Sequence, residues 1–555
     1  MSTSWWKTAV VYQIYPKSFY DSTGNGTGDI QGIIGKLDYL KELGVDVLWL
    51  TPIYKSPQRD NGYDISDYYN IQEEYGTMDD FDQLLEQAHK RGIKIIMDIV
   101  INHTSTEHEW FKQAKSSKDN PYRDFYIWKD GKNGLPPTNW ESKFGGSAWQ
   151  WDETTGQYYL HLFDVTQADL NWENPKVREA LYEMMHFWLK KGVDGFRLDV
   201  INLISKDQQF PQDDSDGRKF YTDGPRIHEF LHEMNQEVFS KYDIMTVGEM
   251  SSTSIDNCIR YTNPREEELN MTFSFHHLKV DYPNGDKWTK ADFDFHALKD
   301  ILSKWQVEMN KGGGWNALFW CNHDQPRVVS RFGDDKQFHK ESAKMLATTI
   351  HMMQGTPYIY QGEEFGMTNP EFDKIEEYRD VESLNTFEIK KNEGLSEQEI
   401  IEILKQKSRD NSRTPVQWDS SKHAGFTTGT PWIHTASNYK EINAENAMKD
   451  PDSVFYHYQE LIRLRKEYDV ITNGDYELIS EEDDSIFAFV RKTENEILLL
   501  INNFYGSDTM YSLPVKLDIA GLSNTVLLSN YADSAPLERE IKLRPYESIV
   551  YYLKK

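Results

Sequence analysis

The chain has 555 residues, 38% apolar and 14% aromatic, with a formal net charge of −29 and a pI near 5. That length exceeds one ordinary domain and suits a large barrel with a smaller module. So acidic a surface argues against nucleic acid and anionic membranes as partners, and it would repel a phosphorylated substrate unless a local cationic patch offset it.

The N-terminal segment, MSTSWWKTAVVYQIYP, lacks the charged start and apolar run of a signal peptide. Cys258 and Cys321 are too few for a disulfide framework and fit a reducing, cytoplasmic setting. The first predicted strand, 10–16, is apolar and β-branched, and a helical face of Ile33, Leu37, Leu40 and Leu43 follows it, ending at Gly44. DVLWLTP (46–52) reads as a second buried strand. Phe81, Leu84, Leu85 and Ala88 then recur at helical spacing between an N-cap at Thr77 and a stop at Gly92. KIIMDIVINH (94–103) is the third strand. Its apolar part is short and carries Lys94 and Asp98, so it does not read as a membrane span.

Residues 104–172 break this rhythm with polar, aromatic and turn-forming residues, and read as a subdomain inserted after strand three. Regularity returns with a helix capped by Asn174, opened by Pro175 and closed by Gly192. Strands are expected at 195–200, 245–250, 271–277, 318–324 and 357–363, which makes eight in all. Near-continuous apolar strands alternating with helices predict an α/β fold, a (β/α)8 TIM barrel. Beyond about residue 470, ILLLINNF, TVLLSNY and SIVYYL predict an antiparallel β-sandwich. The expected division is barrel 1–103, insert 104–172, barrel 173–470 and β-domain 471–555.

In such barrels the active residues sit where strands exit into loops, and here those exits carry charge. Strand three ends in Asn102–His103, strand four carries Arg197 and Asp199, strand five ends at Glu249, and strand seven ends in His323–Asp324. Three carboxylates on one face would cost desolvation with no structural return, so they mark an active site. Arg197 and Asp199 lie two apart on one strand face, and the guanidinium should keep Asp199 ionised, as a nucleophile requires. Glu249 has no such neighbour in sequence and reads as the proton donor. Such a pair is what cleavage of a glycosidic bond needs, with Asp324, His103 and His323 gripping the sugar. The 16 Trp and 32 Tyr are in keeping with stacking on sugar rings.

DIVINH, GFRLDV, VGEM and CNHD, with QADLN at 167–171, resemble the conserved segments of the α-amylase superfamily (glycoside hydrolase family 13) along the whole chain. The resemblance implies that Asp199 is the nucleophile, Glu249 the acid/base and Asp324 the transition-state stabiliser, with retention of configuration. Ala168 stands where that family usually has Pro, and Val416 where it usually has Met. NGYDISDY (61–68) and RDNSRTPVQW (409–418) resemble the oligo-1,6-glucosidase branch. There an Asp–Arg pair closes the pocket floor around one glucose, a part that falls to Asp60 and Arg409, with Arg413 as the other choice. Tyr63 resembles the residue stacked under that glucose, and Val200 that of members not preferring α-1,4 bonds.

Residues 203–235, VGEMSSTS and MTFSFHHLKVDYPNGDKW are similar to the trehalose-6-phosphate hydrolases. This implies a monomer acting on a small phosphorylated disaccharide, with isomaltose-type α-1,6 glucosides as the alternative substrates. His276, His277, Lys279, Lys287 and Lys290 supply cations beside the barrel mouth, and Lys279 and Lys287 are the expected phosphate contacts. A non-catalytic transporter subunit would need a membrane helix and would tolerate loss of the acids. The balance between hydrolysis and transglycosylation depends on water access, which sequence does not report. The chemistry needs no cofactor. Asp21, Thr23, Asn25, Thr27 and Asp29 alternate as oxygen donors in DSTGNGTGD and resemble a structural Ca2+ (or Mg2+) loop.

Overall fold

The computed structural model describes residues 4–517, 519 and 521–554; the first three residues of the N-terminal segment read above lie outside them. Eight parallel strands form the central sheet: β1 (Val11–Ile14), β2 (Val47–Leu50), β3 (Lys94–Ile99), β4 (Gly195–Leu198), β5 (Met245–Glu249), β6 (Met271–Phe273), β7 (Ala317–Leu318) and β8 (Thr356–Tyr360). Their order is β6-β5-β4-β3-β2-β1-β8-β7. A parallel bridge from Thr272 to Asn316 joins the two ends, so the sheet closes into a barrel. Nearly every strand residue is buried, as expected of a parallel sheet with side chains inside and helices outside.

The helix signals behave as their chemistry predicts. Thr77 caps Met78–Lys90 in a reciprocal box with Asp80, and Asn174 caps Pro175–Lys191, which ends on left-handed Gly192. The first predicted face is split into Ile30–Gly35 and Leu37–Leu43, broken at Lys36 and stopped by Gly44.

Each strand is shorter than sequence predicts, and three lose the most, all at the mouth. The third ends at Ile99, and His103–Ser105 starts a separate strand, antiparallel to Gln167–Asp169. The stretch expected at 271–277 leaves the sheet after Phe273 for a 3-10 turn at His276–Leu278. That at 318–324 keeps only Ala317–Leu318. Beyond these points the backbone groups bond to loops and side chains rather than to a neighbouring strand, and this frees the side chains to converge.

The excursion after β3 builds a three-stranded antiparallel sheet from Trp128–Lys129, Gln157–Leu160 and Trp149–Asp152. Its core holds Trp140 and Trp149, and Phe210 and Tyr221 from the segment after β4 join them. Two distant loops are thereby locked over the same side of the mouth. At the C-terminal end, a five-stranded antiparallel sheet starts at Asp475 and packs with the pair Thr509–Ser512 and Glu540–Leu543. Buried Arg491 anchors it, donating to the carbonyls of Met352, Ile471 and Gly474. No helix among the described residues is long and apolar enough to cross a membrane.

Candidate active site

Ladder register makes the centre. Arg197 on β4 lies beside Asp98 on β3 and Val247 on β5. The buried guanidinium donates through Nη1 to Asp98 at 2.8 Å and Asp199 at 2.7 Å, and through Nη2 to Glu249. One planar fork thus holds both predicted catalytic carboxyls. The sequence argument that Glu249 lacks a cationic neighbour is corrected: residues 52 apart in sequence share one arginine. Burial pushes Asp199 well above the usual carboxylate range; Arg197 opposes that rise, and Glu249 and Asp98 add to it.

Two local backbone features aim these groups. Gly195 opens β4 at φ +150, where a Cβ would lie 2.0 Å from the Met245 carbonyl oxygen, so only glycine lets β4 and β5 approach this closely. Val200, after Asp199, is left-handed at φ 35, an outlier for a β-branched residue. Its N–H reaches Glu249 Oε2 at 3.3 Å.

The pocket has a volume of about 200 Å³, below the roughly 300–1,000 Å³ of many ligand clefts. Asp60, Tyr63, His103, Phe144, Phe163, Asp199, Glu249, Asp324 and Arg409 line it, and the rim adds Lys143, Ser251, Phe275, Lys287 and Gln325. Arg409 Nη2 meets Asp60 at 3.3 Å, so the floor pair named from sequence is formed. Arg409 also binds Asp380 at 2.6 Å and Asp324 at 3.4 Å, while Arg413 holds Asp324 at 2.7 Å. Burial disfavours the charge on Asp324, but Arg409, Arg413 and Arg197 outweigh it and hold the carboxyl far below the usual range. Asp60 goes the other way. Burial raises it to about 7 against the pull of Arg409 and Arg413.

Both histidines are neutral, pushed down by burial to about 4 for His103 and about 3 for His323. His103 Nε2 bonds the Tyr63 carbonyl, and His323 Nδ1 bonds Gln13. The Tyr63 ring stacks on His323 at 5.2 Å and its hydroxyl donates to Asp98.

A model of the alpha amylase catalytic domain matches residues 13–474, and one of the SusG-type alpha-amylase C-terminal domain matches 486–550. The chain belongs to the α-amylase family. It is 68% identical over 555 residues to a trehalose-6-phosphate hydrolase of Bacillus subtilis, covering 100% of this chain and 99% of that one. It is 57% identical to an oligo-1,6-glucosidase of Parageobacillus thermoglucosidasius, with both chains fully covered. Among solved structures, a trehalose-6-phosphate hydrolase of Bacillus licheniformis superposes with a TM-score of 0.97 at 70% identity over 100% of both chains.

Within this α-amylase-family pocket the expected cationic patch is largely dispersed. His277 is buried, bonds the Phe319 carbonyl and is lowered to about 4 by that burial. His276 lies against Trp305. Lys290 pairs with Glu402, away from the pocket. Lys287 does reach the pocket, but its ammonium is held by Glu382 at 2.8 Å. Lys279 is exposed.

The loop read as a calcium site does not present the implied donor set. Asp21 accepts from the amides of Thr23, Gly24 and Gly26 and from the Thr23 and Thr427 hydroxyls. Asp29 caps the following helix through Gly32 and binds Ser22. Asn25 accepts from Thr27. The oxygens are taken up by the turn itself, and among the described residues no three His, Cys, Asp or Glu side chains are grouped to hold a metal.

Sequence reasoning did not pick out Asp98 as a site residue, nor Lys143, Phe144, Phe163, Asp380 and Glu382. Asp98 could have been found, because it faces the Arg197 strand in the DIVINH segment. Lys143, Phe144 and Phe163 sit on loops, and Asp380 and Glu382 at the start of the helix Val381–Asn392, far from the strand motifs in sequence.

Proposed function

We propose that the protein hydrolyses trehalose 6-phosphate to glucose and glucose 6-phosphate with retention, through a covalent glucosyl-enzyme. The observation that carries the chemistry is the single Arg197 fork on both acids. Carboxyls held by the two terminal nitrogens of one guanidinium lie side by side, which favours direct attack by one of them over the wider spacing of an inverting pair.

Asp199 attacks the anomeric carbon while Glu249 gives its proton to the departing oxygen. Glu249 then takes a proton from water, which attacks the same carbon and releases Asp199. Asp324, held ionised by two arginines, binds the glucose hydroxyls and steadies the positive charge that develops on the ring. Asp60, Arg409, His103 and Tyr63 close the floor around one terminal glucose, so cleavage is from the end. The setting is cytoplasmic, with two free and buried cysteines in keeping with it.

High identity to trehalose-6-phosphate hydrolases from two Bacillus species supports the phosphorylated disaccharide. The second reading, an α-1,6-glucosidase, draws on the 57% identical relative. Paired assays on trehalose 6-phosphate and isomaltose decide between them. Glucose and glucose 6-phosphate in equal amounts, with little attack on isomaltose, is the expected result; faster cleavage of isomaltose would reverse the assignment.

A further inference from the structure

Each histidine of the site has a carboxamide behind its ring, where many enzymes place a carboxylate. Gln13, buried on β1, reaches His323 Nδ1 with its amide nitrogen at 2.8 Å. Asn102, buried just beyond β3, reaches His103 Nδ1 with its amide nitrogen at 3.2 Å. Neither amide lines the pocket itself.

The partners around them fix where the hydrogens lie. A lysine ammonium only donates, and Lys206 Nζ lies 2.8 Å from Asn102 Oδ1. The Asn102 oxygen therefore faces Lys206. Its NH2 group gives one hydrogen to Asp169 at 3.2 Å and the other to His103 Nδ1. That leaves the His103 hydrogen on Nε2, where the Tyr63 carbonyl accepts it at 3.1 Å. Gln167 also comes within 3.3 Å of this nitrogen, but its two amide hydrogens go to Asp60 and to the same carbonyl. His323 is fixed from its other end. An ionised carboxylate only accepts, and Asp324 Oδ2 lies 3.3 Å from His323 Nε2. The hydrogen is on Nε2 again, so Nδ1 accepts from Gln13. The ring plane is held by stacking on Tyr63 at 5.2 Å and on Tyr15 at 6.1 Å.

An amide in these positions has a different effect from an acid. A carboxylate behind an imidazole orients it and also stabilises the imidazolium, as in a Ser-His-Asp triad. Charge already surrounds both rings here. Asp324, Arg197, Arg413 and Arg409 face His323, and Asp169 and Lys206 face His103. Burial keeps both rings neutral, and a carboxamide adds a hydrogen bond without adding a charge that would undo this.

We propose that Gln13 and Asn102 are positioning residues that hold His323 and His103 as neutral imidazoles with the hydrogen on Nε2, so that each ring keeps a fixed donor on its pocket side across the neutral pH range. Lys206 and Asp169 set the Asn102 amide in turn. This rests on the reading of the pocket as a glucose site and deepens it by naming what fixes its donors.

The test is 15N NMR of the full chain labelled at histidine, with the two rings assigned by the signals lost in His103→Asn and His323→Asn. Both Nδ1 atoms should give the signal of a bare ring nitrogen and both Nε2 atoms that of an N–H, unchanged between about pH 5 and 8. A hydrogen on either Nδ1, or titration of either ring in that interval, would overturn the proposal. Q13E and N102D carry it to activity. Each puts a carboxylate against Nδ1, so the facing ring should gain a hydrogen there and titrate within the interval. The kcat/KM on trehalose 6-phosphate should then fall by on the order of 10²-fold, with a pH dependence that the wild type lacks. A folded variant that keeps the wild-type signals and pH profile would also overturn it, and if neither variant folds the wild-type spectrum decides. A wild type that cleaves no α-glucoside would remove the glucose reading and leave the tautomers standing.

Discussion

The two ends of the pocket handle charge in opposite ways. At the floor, Asp60, Asp324, Asp380, Arg409 and Arg413 are buried, and every charge faces a counter-charge from another loop. Towards the rim, Lys143 and Lys279 have no carboxylate within 4.0 Å among the described residues. A floor with all its charges matched is set in place before substrate arrives and can present fixed hydrogen bonds to the hydroxyls of a neutral sugar. A rim of unmatched cations is completed only by an anionic ligand. The difference is one of architecture: the floor is a closed network of ion pairs, whereas the rim leaves charge unmatched.

The division can be broken most forcefully at the floor. Asp199→Asn should lower kcat by about 10⁴-fold or more on phosphorylated and plain trehalose alike. A loss confined to the phosphorylated substrate would contradict the separation. Glu249→Gln should lose roughly 10²–10⁴-fold on trehalose 6-phosphate yet far less on glucosyl fluoride, whose leaving group needs no proton. Equal losses on both would remove Glu249 from the acid role.

Arg409→Met leaves Asp60, Asp380 and Glu382 short of a cation in a dry site. The expected cost is about 3–5 kcal/mol in urea unfolding, together with weaker glucose inhibition. A change near zero would mean that the floor network is not held together by this arginine.

A smaller effect sharpens the contrast from outside the pocket. Glu363, just beyond β8, has no cationic partner among the described residues; Tyr458 and Cys321 donate to it, and burial raises it to about 7. A raised acid stabilises the fold fully below its ordinary value and loses that contribution as pH climbs through about 7. Melting temperature should fall over that interval, and Glu363→Gln should flatten the fall, gaining on the order of 1 kcal/mol at pH 8. A wild-type profile that rises there would have the wrong sign. The smallest expected effect is from chelation. With Asp21 and Asp29 bound within their own turn, EDTA should move the melting temperature by less than about 1 °C, because removing a ligand destabilises only a protein that binds it.

Much of this was legible in the chain. Periodicity of 3.6, caps at Thr77 and Asn174 and buried β-branched runs are local signals, and they survive into the structure because each depends on a few adjacent residues. The same holds for Asp199, Glu249 and Asp324, which are costly residues at strand ends, and for Asp60 and Arg409, which resemblance brought together. What failed was any inference about a side chain's neighbours. Proximity in sequence suggested that Arg197 serves Asp199 alone and that His277, Lys287 and Lys290 form a cationic patch, whereas the fold gave Arg197 to both acids, buried His277 and matched both lysines. The alternating oxygens of 21–29 resemble metal ligands in sequence, and the fold adds N–H donors from the same turn to Asp21, Asn25 and Asp29.

The sequence by itself determined that eight buried strands alternate with helices, that an excursion follows the third, and which acids stand at the strand exits. Only tertiary structure decided which charges meet, since ion pairing falls steeply with distance and each partner here comes from a different loop. Register between β3, β4 and β5 joins Arg197 to its three carboxyls. The packing of Trp140 against Phe210 and Tyr221 brings Lys143 and Arg218 to one side of the mouth. No short stretch of the chain contains either fact.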